Sequence, residues 1–190
     1  MSLTAKPYEE RTIFNKAFKE ILVSQLIAIV AGLVAGTLLA FYTEKLLLLP
    51  GMLIIIPGFL ALRGNISGPL AARISSGLFL GVIKPDTMET KIVRGNTYAS
   101  FFLTVVVCLI LGVVAYLLTY YVFEANVPVL LIIPLLAGLL ANAISIPLTL
   151  FFTFYFFRKG HDPNNIMGPF VTSTGDVIST LALLITILLV

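Results

Sequence analysis

The chain has 190 residues, a formal net charge of +3, 59% hydrophobic residues and 11% charged residues. Soluble domains carry about 45–50% apolar and about 25% charged residues, so this chain has too few charged groups to cover a soluble globule. The composition excludes a nucleic-acid-binding module, a disulfide scaffold and a soluble metabolic enzyme. It indicates a multi-pass protein of the cell membrane.

The first 20 residues are polar and mixed in charge, with apolar side chains at helical spacing. They predict an amphipathic lead-in helix over 1–20, cytoplasmic or at the membrane surface, and a five-helix transport domain is predicted over 21–190. Its apolar runs approach or exceed the length that crosses a hydrocarbon core about 30 Å thick. The five runs are 21–42, 46–62, 97–123, 127–157 and 166–190.

A glycine-rich segment, 63–83, follows the second run, and the fourth run exceeds the roughly 20 residues that a span needs. Because the fourth run holds Pro134 and Pro147, it is predicted to tilt, kink or be interrupted. No alternating 10-residue pattern indicates a barrel, and lipid offers backbone groups no hydrogen-bond partner. The predicted fold class is therefore all-α, with five transmembrane helices.

Lysine and arginine counts predict the orientation of the chain. Eleven of these residues lie in the N-terminal segment and after spans two and four, against one, Lys45, in the two opposite loops. Cytoplasmic loops carry the excess of positive residues. The N-terminus is therefore predicted in the cytoplasm and the C-terminus outside.

Asp176 is the one acidic residue within the five apolar runs. It follows Ile166 by about 15 Å along a helix, which places it halfway through the membrane, where an aspartate costs about 2.5–3.5 kcal/mol to insert. A residue of this kind indicates an ion or proton pathway. The alternative is a structural salt bridge to Arg63 or Arg73.

Small and polar residues surround Asp176 on the fifth span. They are Gly168, Thr172 and Thr180 at four-residue spacing from Asp176, with Gly175 and Ser179 beside them. A helix gains nothing by turning such a face toward acyl chains, so it is predicted to face protein or water. Asn142, in span four, either lines the same cavity or bonds across helices.

An Asn-Ile-x-Gly-Pro motif occurs twice, beginning at Asn65 and at Asn165. Each proline lacks the amide that would donate to the carbonyl of the motif's own asparagine, four residues earlier. A freed carbonyl beside an asparagine amide suits a hard cation or its bound waters. The alternative is that each motif starts a helix, with proline in the first turn.

Catalysis fits the sequence poorly. There is no Ser-His-Asp set, no His-Glu-x-x-His and no Walker-type phosphate loop. One cysteine, Cys108, and one histidine, His161, exclude an intrachain disulfide and a multi-histidine metal site. The chain is therefore predicted not to be an enzyme, and no transport driven by ATP bound to it is expected.

Two segments, 64–77 and 168–176, resemble the two pore-lining helices of the MgtE family of magnesium transporters, to which the eukaryotic magnesium solute carriers are related. The specific part is the Pro-Phe-Val-Thr-x-x-x-Asp run that ends at Asp176. The resemblance implies a homodimer in the lipid membrane, with the Mg²⁺ pathway between spans two and five. It places a largely hydrated Mg²⁺, the transported ion, between the two copies of Asp176.

By the same resemblance, Thr172, Gly168 and Asn65 contact the waters of the ion. The wider pathway is expected to be lined by Gly64, Gly68, Asn165, Gly175, Ser179, Thr180 and Asn142. Bacterial members of the family carry a large cytoplasmic sensor that gates the pore, whereas only about 20 residues precede the first span here. An unidentified cytoplasmic regulator is therefore among the expected partners, and nucleic acid is not.

Two other functions remain as alternatives at this point. In the first, the chain is a non-transporting membrane subunit whose fifth span docks a partner, and Asp176 pairs with a basic residue of that partner. In the second, it is a proton- or sodium-coupled carrier of another solute. The sequence does not separate channel from carrier, uptake from efflux, or Mg²⁺ from Mn²⁺, Co²⁺ or Ca²⁺.

Overall fold

The computed structural model describes the backbone of residues 7–190 and the side chains of residues 15–190, that of Arg63 excepted. This part of the chain folds into α-helices joined by short loops, with a 3₁₀ turn at Pro128–Leu131. The helices are α1 (Pro7–Phe41), α2 (Thr43–Leu47), α3 (Met52–Phe79), α4 (Lys91–Phe123), α5 (Ile133–Arg158) and α6 (Pro163–Leu189).

Five of the described segments are long and apolar enough to cross a membrane, which confirms the predicted all-α fold with five spans. The predicted lead-in helix is continuous with the first span, because α1 runs unbroken from Pro7 to Phe41. Residues 1–6 of that prediction lie outside the described residues.

The predicted limits of the second span were wrong. Instead of 46–62 followed by a separate glycine-rich segment, one helix, α3, runs through Pro57 and Pro69 to Phe79. The fourth run is interrupted, because Ile132 separates the 3₁₀ turn from α5. An interruption was one of the three predicted possibilities for this run. Membrane helices tolerate interior proline where neighbouring groups satisfy the freed carbonyls, so proline is a weak boundary signal here.

Helix α6 is the centre of the bundle, because it packs against α1, α3 and α5, while α4 covers α3 and α5 from the other side. Apolar side chains fill two clusters along α3. The first includes Met52, Ile55 and Phe59, and the second includes Leu70 and Ile74. Helix α1 packs mainly on α6, and most of its apolar surface stays exposed, as expected of a helix that faces lipid.

The N-terminus of α6 is set by local chemistry. Asp162 is the N-cap and accepts a hydrogen bond from the backbone amide of Asn164 at 2.9 Å, and Pro163 occupies the first helical position. The helix therefore begins three residues before the predicted 166. Pro69 and Pro169 both lie inside helices, so the alternative that the two motifs are helix starts was wrong.

Candidate functional site

The polar residues of α6 form one side of the helix near its midpoint. Asp176 is half-buried and is the fourteenth of the 27 residues of α6, so its carboxylate lies halfway along the helix. Thr172 and Gly168, one and two turns earlier, are exposed, whereas Thr180, one turn later, is completely buried. The four-residue series thus passes from an open face into the interior of the bundle.

A cavity of about 470 Å³ lies between α6 and α1 beside the open part of this face. Its lining residues are Gly168, Pro169, Thr172, Ser173 and Asp176 from α6, with Gln25 and Ala28 from α1. The cavity therefore brings three of the predicted site residues, Gly168, Thr172 and Asp176, to one wall. It offers a carboxylate, two hydroxyls and an amide to a ligand.

Hydrogen bonds along α6 fix what the two hydroxyls present to the cavity. Thr172 Oγ1 donates to the carbonyl of Gly168 at 3.0 Å, and Ser173 Oγ donates to the carbonyl of Pro169 at 2.9 Å. Because each hydroxyl has used its proton on the backbone, its oxygen remains an acceptor. Together with the carboxylate of Asp176, these oxygens give the cavity acceptor character.

Helix α3 lies beside the same polar face. A Cβ atom added to Gly64 would lie 3.7 Å from Thr172 Oγ1, so the two helices meet there without a side chain from position 64 between them. Gly68 is half-buried beside open space. Between Gly58 and Leu78, the exposed positions of α3 continue the surface with small, polar and basic residues, namely Ala61, Asn65, Pro69, Ala72, Arg73 and Ser76.

Asn165 joins α6 to α1 at the end of the bundle where α6 begins. Its carbonyl receives no hydrogen bond from Pro169, which has no amide hydrogen, and instead lies 3.4 Å from Ser24 Oγ of α1. The side-chain Nδ2 of Asn165 donates to Glu20 Oε2 at 3.1 Å. His161 Nδ1 pairs with the other carboxylate oxygen of Glu20 at 2.9 Å. Asn165 therefore lies outside the Asp176 cavity, in a contact between helices.

Four of the residues predicted to line the pathway are buried away from this cavity. Gly175, Ser179 and Thr180 lie on the packed side of α6. Asn142 of α5 is completely buried and donates from Nδ2 to Thr104 Oγ1 of α4 at 2.6 Å, so it bonds across helices, which was one of its two predicted roles. A role of these four residues along the pathway stays a prediction.

Gln25 and Ala28 are cavity residues that the sequence interpretation missed. Their signal was weak, because Gln25 follows Ser24 near the polar end of the first apolar run, and Ala28 carries only a methyl group. Among the described residues, no group of three or more His, Cys, Asp or Glu side chains lies close enough to hold a metal ion. The alternative pairing of Asp176 with Arg63 or Arg73 stays a prediction, and the side chain of Arg63 lies outside the described ones.

The described residues form five helices that can cross a membrane, and the central helix α6 carries an acidic residue at its midpoint beside a cavity. These features define a multi-pass membrane protein with a polar site among its helices. Residues 56–186, more than half of the chain, match the model of the MgtE family, described as divalent cation transporter. The chain belongs to the MgtE family, which confirms the resemblance found in 64–77 and 168–176.

Among curated proteins, the chain is similar to solute carrier family 41 member 2 of Xenopus laevis. The two are 24% identical over 201 residues, which cover 96% of this chain and 34% of the relative. The chain therefore spans about a third of the length of that curated relative. No solved structure matches the chain.

Proposed function

We propose that this chain moves Mg²⁺ across the membrane, with the Asp176 cavity as the position where the hydrated ion is held. The observation that carries the proposal is the half-buried carboxylate at the midpoint of α6, in a cavity lined by oxygen acceptors. The metal is the transported substrate, and the membership in a divalent cation transporter family agrees with it.

The chemistry of the cavity suits a hydrated ion better than a bare one. Mg²⁺ loses water reluctantly and is bound through one or two carboxylates with several waters retained. Waters around a cation point their hydrogens outward, and Asp176, Thr172 and Ser173 offer acceptors to receive them. Six waters at about 30 Å³ each fill about 180 Å³, which the cavity of about 470 Å³ accommodates.

The functional unit in this proposal is a homodimer, with Asn65 and the two copies of Asp176 near the two-fold axis. Support comes from a difference between two exposed helix faces. The exposed side of α3 carries small and polar residues, whereas that of α4 carries large apolar ones, among them Leu103, Ile110 and Leu117. Small residues favour helix–helix contact within membranes, whereas large apolar ones face lipid equally well. Two carboxylates would also offset the charge of one Mg²⁺.

We expect an Asn65→Cys variant to form a disulfide-linked dimer when the protein is oxidised in membranes. The native Cys108 is completely buried and gives a low background. Ile110→Cys, on the exposed side of α4, is the matched control and should stay monomeric on a non-reducing gel. Equal cross-linking of the two variants, or none at position 65, would contradict a dimer interface along α3.

A bulky side chain at position 28 should block the cavity from the side of α1. Ala28 is half-buried and lines the cavity, so Ala28→Phe is expected to lower Mg²⁺ flux in proteoliposomes by at least tenfold. Ala40→Phe, on an exposed position of the same helix, should transport like the parent. If Ala28→Phe transports normally while folded, the ion passes elsewhere.

The two alternative functions give different results in the same proteoliposomes. A non-transporting subunit would show no flux and no stabilisation by Mg²⁺, whereas a protein that binds the ion in its folded state is stabilised by it. A coupled carrier of another solute would require a proton or sodium gradient. We further propose the cytoplasmic N-terminus, the lead-in role of 1–20 and the transport domain over 21–190.

A further inference from the structure

A second groove, here called the α1 groove, lies between α1, the start of α6 and the end of α5. Its volume is about 470 Å³. Its walls are apolar, formed by Val23, Ile27, Phe156, Ile166 and Phe170, and its mouth carries Lys16 and Lys19. The α1 residues recur every three or four positions, so they share one side of the helix.

The α1 groove changes from cationic to apolar along the axis of α1. From Lys19 to Ile27 the helix advances about 12 Å at 1.5 Å per residue, close to half of a hydrocarbon core about 30 Å thick. A second apolar recess of about 540 Å³ continues from Ile27 toward Val34. A charged end followed by a long apolar path of this length matches one phospholipid in one leaflet.

The mouth of the groove keeps a net positive charge. Glu20 is its one acidic residue, and both oxygens of that carboxylate are engaged, one by His161 Nδ1 of the loop before α6 at 2.9 Å and the other by Asn165 Nδ2 of α6 at 3.1 Å. Lys16 Nζ donates to the carbonyl of Gly160 at 3.0 Å, which positions the ammonium while leaving two of its three protons for another acceptor. Two lysines therefore face an incoming anion against one carboxylate that is already paired.

We propose that the α1 groove binds one anionic phospholipid per protomer, with the phosphate on Lys16 and Lys19 and an acyl chain along Val23 and Ile27. Basic pockets between transmembrane helices are the usual sites of anionic headgroups. Nothing in this proposal depends on Mg²⁺ transport.

The test titrates the purified full chain in detergent with phosphatidylglycerol and, separately, with phosphatidylcholine of the same acyl chains, and counts bound lipids by native mass spectrometry. We expect one phosphatidylglycerol per protomer at concentrations where phosphatidylcholine is lost. Lys16→Gln/Lys19→Gln should weaken phosphatidylglycerol binding at least tenfold. Lys84→Gln/Lys91→Gln removes the same charge from exposed positions outside the groove and should bind like the parent.

A third variant tests whether lipid binding needs the apolar wall of the groove or only the positive charge of the two lysines. Val23→Trp keeps both lysines but fills the apolar wall, and Val23 is exposed enough to accept the larger side chain. We expect it to weaken phosphatidylglycerol binding at least tenfold, with the melting temperature of the parent. Parental binding by Val23→Trp or by the Lys16/Lys19 variant, equal binding of phosphatidylcholine, or a matching loss in the control variant would each overturn the proposal.

Discussion

Asp176→Asn is expected to lower Mg²⁺ flux in proteoliposomes by at least tenfold and to leave the protein folded. The amide keeps the size and much of the hydrogen-bonding capacity of the carboxylate but removes the charge. A pair of unit charges 4 Å apart attracts by about 4 kcal/mol at a dielectric constant near 20, and a divalent ion doubles this. The fold should tolerate the exchange, because the amide keeps the shape of a side chain that is only half-buried.

The matched control is Asp86→Asn, which makes the same chemical change in the exposed loop between α3 and α4 and should transport like the parent. A second readout is thermal: Mg²⁺ should raise the melting temperature of the parent and of Asp86→Asn, but not that of Asp176→Asn. Parental flux through a folded Asp176→Asn protein would show that the carboxylate does not hold the ion.

Gly112→Ala is expected to destabilise the bundle through a clash between backbones. A Cβ atom at position 112 of α4 would lie 2.7 Å from the carbonyl oxygen of Leu131 and 3.1 Å from that of Leu130. These atoms belong to the 3₁₀ turn before α5 and cannot rotate away as a side chain would. Overpacking of this kind costs about 1–3 kcal/mol, so the melting temperature in detergent should fall by several degrees.

Gly95→Ala is the control for this substitution, because it lies in the same helix and a Cβ atom there meets no atom within 4 Å. Alanine is favoured over glycine inside a helix by about 0.5–1 kcal/mol, so Gly95→Ala should melt at or above the parental temperature. A Gly112→Ala protein as stable as Gly95→Ala would mean that α4 and the 3₁₀ turn are farther apart than described.

The number and type of spans could be predicted because membrane insertion depends on local composition, and long apolar runs are visible in the sequence. The limits of α3 could not be predicted in the same way. Its polar and proline-containing second half, from Arg63 to Phe79, has the composition of a loop, but packing against α5 and α6 keeps it helical. The 3₁₀ turn at Pro128–Leu131 was foreseen only as an irregularity of unknown kind.

The residues of the site, like the limits of the helices, could be predicted from the sequence only in part. Gly168, Thr172 and Asp176 could be grouped from their spacing, because four residues make about one helical turn, and the structure places them on one cavity wall. Gln25 could not be added, because no local pattern states that α1 pairs with α6. For Asn165, the prediction recognised the freed carbonyl but not that Ser24, 141 positions earlier, lies within reach of it.

The central position of α6 has a consequence for biogenesis. Helix α6 is synthesised after α1, α3 and α5, the three helices it packs against. Until it leaves the ribosome, those segments lie in the bilayer without their common neighbour and without Asp176. In the proposed mechanism, a nascent chain stalled before Pro163 would accordingly conduct no Mg²⁺, since it would still lack the carboxylate that holds the ion.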